Sequence, residues 1–133
     1  SDRSAIDEIC NDLSDQTYAI ISNNNYTCKD LKEIYSMLDY VVGTRFHSVI
    51  FSLSENIPSI AVTYGGNKGQ GIMKDLGLEE YAIPMSEFDY EKVIRMFNLL
   101  VINNDQLIEK LKQSKIKLDE EYCKLVLELK RAV

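Results

Sequence analysis

Residues 41–66, VVGTRFHSVIFSLSENIPSIAVTYGG, run from one apolar segment to a second through a single amphipathic stretch. Val41 and Val42 lead into Gly43. Phe46, Val49, Ile50 and Leu53 then recur at i, i+3, i+4 and i+7, a spacing that predicts a helix starting near Phe46 and ending near Asn56. Pro58 cannot continue that helix and introduces a second strand over 59–62. Strands of unbroken apolar character, joined by an amphipathic helix, belong in a parallel sheet covered on both faces. The segment also holds the only histidine of the chain, His47, two residues after Arg45 and four after Gly43.

The same alternation extends outward on both sides. Toward the N-terminus, Leu31, Ile34, Tyr35 and Leu38 mark a helix over 27–38 that feeds a short strand, Tyr40 to Val42. Before it, the β-rich run TYAIIS (17–22) reads as another strand, and Ile6, Ile9, Cys10 and Leu13 place a helix over 4–13. Toward the C-terminus, YGGNKGQG holds four of the six glycines and reads as a flexible loop. IMKDLGL follows as a short helix with Gly77 as its C-cap, and Ala82 and Ile83 add a small edge strand. Two helices then cover 89–102 and 104–130, the second started by Asn104 and Asp105. The apolar stripe of the last helix, Leu107, Leu111, Leu118, Tyr122, Leu125 and Leu129, is long for a small domain, and part of it is expected to pack on something outside the chain. The fold class that results is α/β: a Rossmann-like, three-layer parallel sheet with helices on both faces, built as a single domain over 1–133. A doubly wound unit normally begins with a strand, whereas this chain opens on a helix, so the expectation is a fragment.

Composition bounds the function. A length of 133 residues with 45% hydrophobic content supports one core. A net charge of -6 supplies no broad positive field for nucleic acid or an anionic membrane face, so any anion must be small and met locally. Cys10, Cys28 and Cys123 are odd in number and widely spaced, which points to neither a disulfide framework nor a zinc site and fits the cytoplasm. No signal peptide and no membrane span are legible.

The turn from the strand ending at Gly43 into the following helix is where ligands bind in open parallel sheets. Gly43 permits close backbone approach, the helix start offers N–H groups and partial positive charge, and Arg45 brings a planar fork for a carboxylate or phosphate. Positions two apart on a helix diverge by about 200°, so Arg45 and His47 converge only if Arg45 belongs to the turn. By spacing alone, a surface ion pair at Arg45 and a satisfied histidine at His47 stay open. Thr44 is expected at the N-cap of the helix, with its hydroxyl facing the same space. Tyr64 and Gly65 close the strand after Pro58 at the same sheet edge, where Tyr64 shapes the pocket or packs.

From Leu38 to Leu78 the chain resembles the C-terminal domain of the polysaccharide pyruvyl transferase family. The resemblance rests on Asp39, Val41, Val42, Gly43, Arg45, Phe46 and His47 in order, then Pro58, Ile60, Val62, Tyr64, a lysine at Lys68, and Asp75-Leu76-Gly77-Leu78. It implies one of two Rossmann-like domains of a GT-B-like fold, the N-terminal domain being missing here. It also implies transfer of pyruvate, as a ketal, from phosphoenolpyruvate to two hydroxyls of a sugar. The acceptor would be a polysaccharide sugar, free or lipid-linked. By the same resemblance Arg45 and His47 line the phosphoenolpyruvate pocket, Arg45 anchoring the donor and His47 also exchanging protons, and Lys68 closes over the phosphate from its loop. No metal and no cofactor other than the donor substrate are expected, and the chain by itself is expected to be inactive. Two other classes compete: a GT-B glycosyltransferase domain for a nucleotide sugar, and a non-catalytic α/β interaction module. The first lacks the Glu-x7-Glu pair of retaining members, because Gly43 and Phe51 stand at those positions.

Overall fold

The computed structural model describes residues 2–13, 18–21, 25–64 and 67–132. In chain order the elements are α1 (Asp2–Asp12), α2 (Cys28–Ser36), β1 (Val41–Gly43), α3 (Phe46–Ser54), β2 (Ser59–Thr63), α4 (Asn67–Asp75), β3 (Ala82–Pro84), α5 (Tyr90–Ile102) and α6 (Asn104–Ala132). The three strands form one sheet in the order β1-β2-β3, parallel throughout, with Gly43 beside Ala61 and Ala61 beside Ala82. The α/β class and the parallel pairing of β1 with β2 are those expected from residues 41–66.

β2 is the centre of the sheet, and its first four residues are all buried, which requires cover on both faces. Side chains alternate along a strand, so Ser59, Ala61 and Thr63 share one face, and Ile60 and Val62 the other. On the first face Ser59 Oγ donates to Ser52 Oγ of α3 at 2.7 Å, and Ser52 Oγ donates to the Val49 carbonyl at 2.9 Å. These two buried hydroxyls satisfy each other, so burial costs them little. On the second face Met96 and Leu100 of α5 close over Ile60, Val62 and Ile83, with the Tyr40 ring against Phe97 at 5.4 Å. Leu107 and Leu111, in the first half of α6, complete the core.

The third strand differs from the expected one. The segment predicted over 17–22 forms no strand at residues 18–21, and its ends lie outside the described residues. The sheet takes 82–84, expected only as a minor edge, in its place. The reason is cover: among the described residues neither α2 nor α1 buries a residue, and although the Tyr18 hydroxyl donates to the Cys10 carbonyl at 3.3 Å, Tyr18, Ile20 and Ile21 stay exposed. A strand gains little from pairing when its apolar faces remain in water. Ile83, by contrast, is fully buried.

Local chemistry sets the helix ends. Thr27 and Asp30 make a reciprocal capping box at the start of α2. Hydrogen bonds from the Thr27 hydroxyl and backbone hold the Asp30 carboxyl below the usual carboxylate range. A depressed folded-state pKa favours the folded helix above the ordinary carboxylate pKa of about 3.9, and that contribution fades as pH falls through the folded value. A carboxyl titration followed by NMR should therefore find Asp30 titrating below the ordinary aspartate value. In Thr27→Val the midpoint should return toward that value.

α3 ends in a Schellman pattern: Asn56 has φ +62°, its N–H reaches the Leu53 carbonyl, and the Ile57 N–H reaches the Ser52 carbonyl. α4 ends the same way at Gly77, φ +63°, where the sequence placed its C-cap, with the buried pair Met73 and Leu78 closing the motif. Lysines of α6 reach back to both ends, Lys115 to the Ser54 carbonyl at 3.2 Å and Lys110 to the Gly77 carbonyl. Beyond these contacts α6 continues with Leu118, Tyr122, Leu125 and Leu129 exposed, the outer part of the stripe of which some was expected to pack on something outside the chain.

Candidate functional site

All three strands are parallel, so their carboxyl ends share one edge. There a cavity of about 410 Å³ opens between the turn after β1 and the start of α4. Its lining residues come from three places: Thr44, Arg45, Phe46 and Val49 from the β1–α3 turn and first turns of α3; Ala61, Val62 and Thr63 from β2 with Tyr64 just after it; and Lys68 and Gly69 from α4. Of the six expected site residues, four (Thr44, Arg45, Tyr64 and Lys68) meet here.

Two glycines bring these walls together. A Cβ at Gly43 would stand 2.7 Å from Val49 Cγ2 and 2.8 Å from Ser48 Oγ, so only glycine lets α3 fold back this tightly on β1. The close approach that Gly43 permits is thus that of a helix to its strand. A Cβ at Gly69 would stand 2.7 Å from Thr63 Cγ2, so α4 begins pressed against the end of β2. This corrects the reading of YGGNKGQG as a flexible loop: α4 starts at Asn67, and Lys68 lies in its first turn, with Gly65 and Gly66 outside the described residues. Glycines at 69 and 71 are accepted in the helix because the space beside Thr63 rewards the absence of a side chain at the first of them.

The N-cap of α3 is Arg45, not Thr44. Its backbone is extended, φ -120° and ψ 140°, and its side chain makes no capping hydrogen bond. Thr44 stands one residue earlier, in the turn. A cation at a helix N-terminus opposes the helix dipole, and Ser, Thr, Asp and Asn are the residues that stabilise this position. Arg45 is therefore not chosen for the stability of α3. Being in the turn, it also meets the condition under which it escapes the stripe of the helix body.

His47 takes a different direction. It is exposed and is absent from the cavity lining, whereas Phe46 and Val49 line it. Its ring lies 5.7 Å from Phe46 and 6.4 Å from Phe51, four residues on, and Phe51 in turn meets Tyr35 of α2 at 6.0 Å. The i, i+4 pair His47 and Phe51 thus occupies the stripe that faces α2, next to the one that faces the cavity.

Electrostatically the site is an exception in an acidic chain. Between Asp39 and Asp75 the sequence has one carboxylate, Glu55, against Arg45, Lys68 and Lys74, and Glu55 is paired with Lys32 at 3.1 Å. Among the described residues no Asp or Glu lines the cavity. A pocket with two cations, a threonine hydroxyl, a phenol and the first N–H groups of α3 suits a small ligand with more than one negative charge. Among the described residues there is no cluster of three or more metal-ligating side chains, and no helix is long and apolar enough to cross a membrane. All three cysteines are free.

Comparison with known proteins bears on the same region. No solved structure matches the chain. The Amylovoran biosynthesis protein AmsJ of Erwinia amylovora is 33% identical over 66 residues, which is 50% of this chain and 16% of that protein. The chain therefore corresponds to a small part of that relative's length. The family model for polysaccharide pyruvyl transferase matches residues 1–66, a stretch that contains Gly43, Thr44, Arg45, His47 and Tyr64 and stops just before Lys68. By these two matches the chain belongs to the polysaccharide pyruvyl transferase family.

Proposed function

We propose that this chain is the donor-binding, C-terminal GT-B-like domain of a polysaccharide pyruvyl transferase. It takes phosphoenolpyruvate as donor and no other cofactor, and works with a second domain that carries the rest of the site. The acceptor is a sugar of a cell-surface polysaccharide, free or lipid-linked. The observation that carries this reading is the cavity at the carboxyl edge of the sheet, in whose described lining Arg45, at the cost of a poor N-cap, shares the wall with Thr44, Tyr64 and Lys68.

In this reading the planar carboxylate of phosphoenolpyruvate lies on the Arg45 fork, and the phosphate lies toward Lys68 and the first amides of α4. Tyr64 and Phe46 wall the methylene carbon away from bulk water. Two sugar hydroxyls bond to the central carbon of the donor as phosphate departs. Their two protons end on the methylene carbon, which becomes a methyl group, and on the phosphate. His47, just outside the cavity, is the group that exchanges protons with those hydroxyls.

Calorimetric titration with phosphoenolpyruvate and, separately, with uridine and guanosine diphosphate sugars tests the assignment. Saturable binding of phosphoenolpyruvate alone is the expected result. Binding of a nucleotide sugar without phosphoenolpyruvate points instead to a glycosyltransferase domain, and binding of neither to an interaction module.

A further inference from the structure

Thr63, the last residue of β2, stands at the carboxyl edge of the sheet and lines the cavity beside Lys68 and Gly69. Its hydroxyl is engaged within the sheet, donating to the Ile83 carbonyl of β3 at 3.5 Å. Hydroxyl and methyl share one torsion, so the bond to β3 also fixes Cγ2. Cγ2 then faces α4, 2.7 Å from the position a Cβ would take at Gly69. The contact is a stop. α4 comes against β2 until Gly69 meets the Thr63 methyl, and a side chain at 69 would hold the first turn of the helix off the sheet edge. A Cβ at Gly71, in the same helix, would meet nothing within 4 Å, so of the two only the glycine next to Lys68 is under this constraint.

We propose that Thr63 is a positioning residue of the donor site: through Gly69 it sets how far the first turn of α4 stands from the sheet edge, and thereby where Lys68 meets the donor phosphate. The inference rests on the donor reading of the cavity. Two observations take the contact beyond packing. Lys68 is exposed and adjoins Gly69 in the chain, so a shift of the turn carries the base of its side chain along, with no buried contact to hold it back. The opposite wall, with Arg45 at the start of α3, is set by a different contact, that of Gly43 with Val49 and Ser48. The two cationic walls are therefore placed independently. Their separation favours a ligand that carries a carboxylate and a phosphate on one carbon, and a small displacement of one wall breaks that match.

Calorimetric titration of the 133-residue chain with phosphoenolpyruvate tests this by moving one methyl group across the contact. Gly69→Ala adds the methyl on the helix side, and Thr63→Ser removes it on the strand side while keeping the hydroxyl. Gly69→Ala is expected to bind at least about 10-fold more weakly and Thr63→Ser at least about threefold more weakly, because one turn is held too far out and the other loses its stop. The double variant keeps the total volume and is expected to bind within about threefold of wild type, tighter than either single change. In a Lys68→Met background Gly69→Ala should cost less than about threefold, since the group it displaces is gone. Gly71→Ala controls for helix propensity and should bind within about twofold of wild type. Circular dichroism checks that each variant is folded, and should Gly69→Ala fail to fold, a double variant that binds more tightly than Thr63→Ser reads the same coupling. Additive losses in the double variant, undiminished binding in Gly69→Ala, or an equal loss from Gly69→Ala with and without Lys68 overturns the positioning role while leaving the donor reading in place. Absence of phosphoenolpyruvate binding to the wild type overturns the donor reading itself, and the role with it.

Discussion

Arg45→Ser is expected to bind phosphoenolpyruvate at least about 100-fold more weakly, a loss of about 2.8 kcal/mol, with a melting temperature close to that of the wild type. The two readouts separate because they act through different atoms. Arg45 is the N-cap of α3 with extended backbone angles and no capping hydrogen bond, and a serine there places a hydroxyl where it accepts from the amide of His47 or Ser48. That gain, roughly 0.5–1 kcal/mol, offsets the loss of the arginine's own exposed interactions. The arginine side chain is exposed and lines the cavity, so its loss opens no hole in the core. Binding depends on the fork that serine cannot supply. Thermal melts and calorimetry on the same preparation read both quantities. Undiminished affinity would remove Arg45 from the donor site, and a large drop in melting temperature would give it a structural role instead.

Gly43→Ala should be strongly destabilising for a change of one methyl group. Gly43 is buried beside Ala61, and the added Cβ meets Val49 Cγ2 at 2.7 Å and Ser48 Oγ at 2.8 Å, closer than any real contact of that kind. Ser48 and Val49 lie in the first turn of α3, and Val49 is part of the core, so neither yields without moving the helix start. Overpacking of this sort costs roughly 1–3 kcal/mol. Each kcal/mol lowers the melting temperature of a domain of this size by roughly 3–6 °C. Since α3 carries Arg45 and Phe46 at its start, the same shift should weaken phosphoenolpyruvate binding. Gly71→Ala is the control: nothing lies within 4 Å of its added methyl, and it stands inside α4, where alanine is the better helix former by roughly 0.5–1 kcal/mol. Denaturant unfolding of the two variants should move in opposite directions. A Gly43→Ala protein as stable as wild type would show that the β1–α3 turn is looser than its geometry.

What the sequence determined by itself was what depends on neighbours along one helix stripe or one strand. The 3.6-residue stripe from Phe46 to Leu53, the stop at Pro58 and the C-cap at Gly77 placed β1, α3, β2 and the end of α4, and the edge at which Arg45, Tyr64 and Lys68 gather followed from the parallel order of the strands. The tertiary structure alone decided three things. It placed a strand at 82–84 and none at 18–21, because strand pairing is rewarded by what covers the faces, and Ile83 is fully buried whereas Tyr18, Ile20 and Ile21 stay exposed. It started α4 at Asn67 within a glycine-rich run, because the missing side chain of Gly69 fits against Thr63, a contact no window of sequence contains. It also sent His47 along the stripe facing Phe51 and α2 while Arg45 stayed in the turn, because the boundary between turn and helix falls between them, and the direction of a side chain is set by which side of that boundary its backbone lies on.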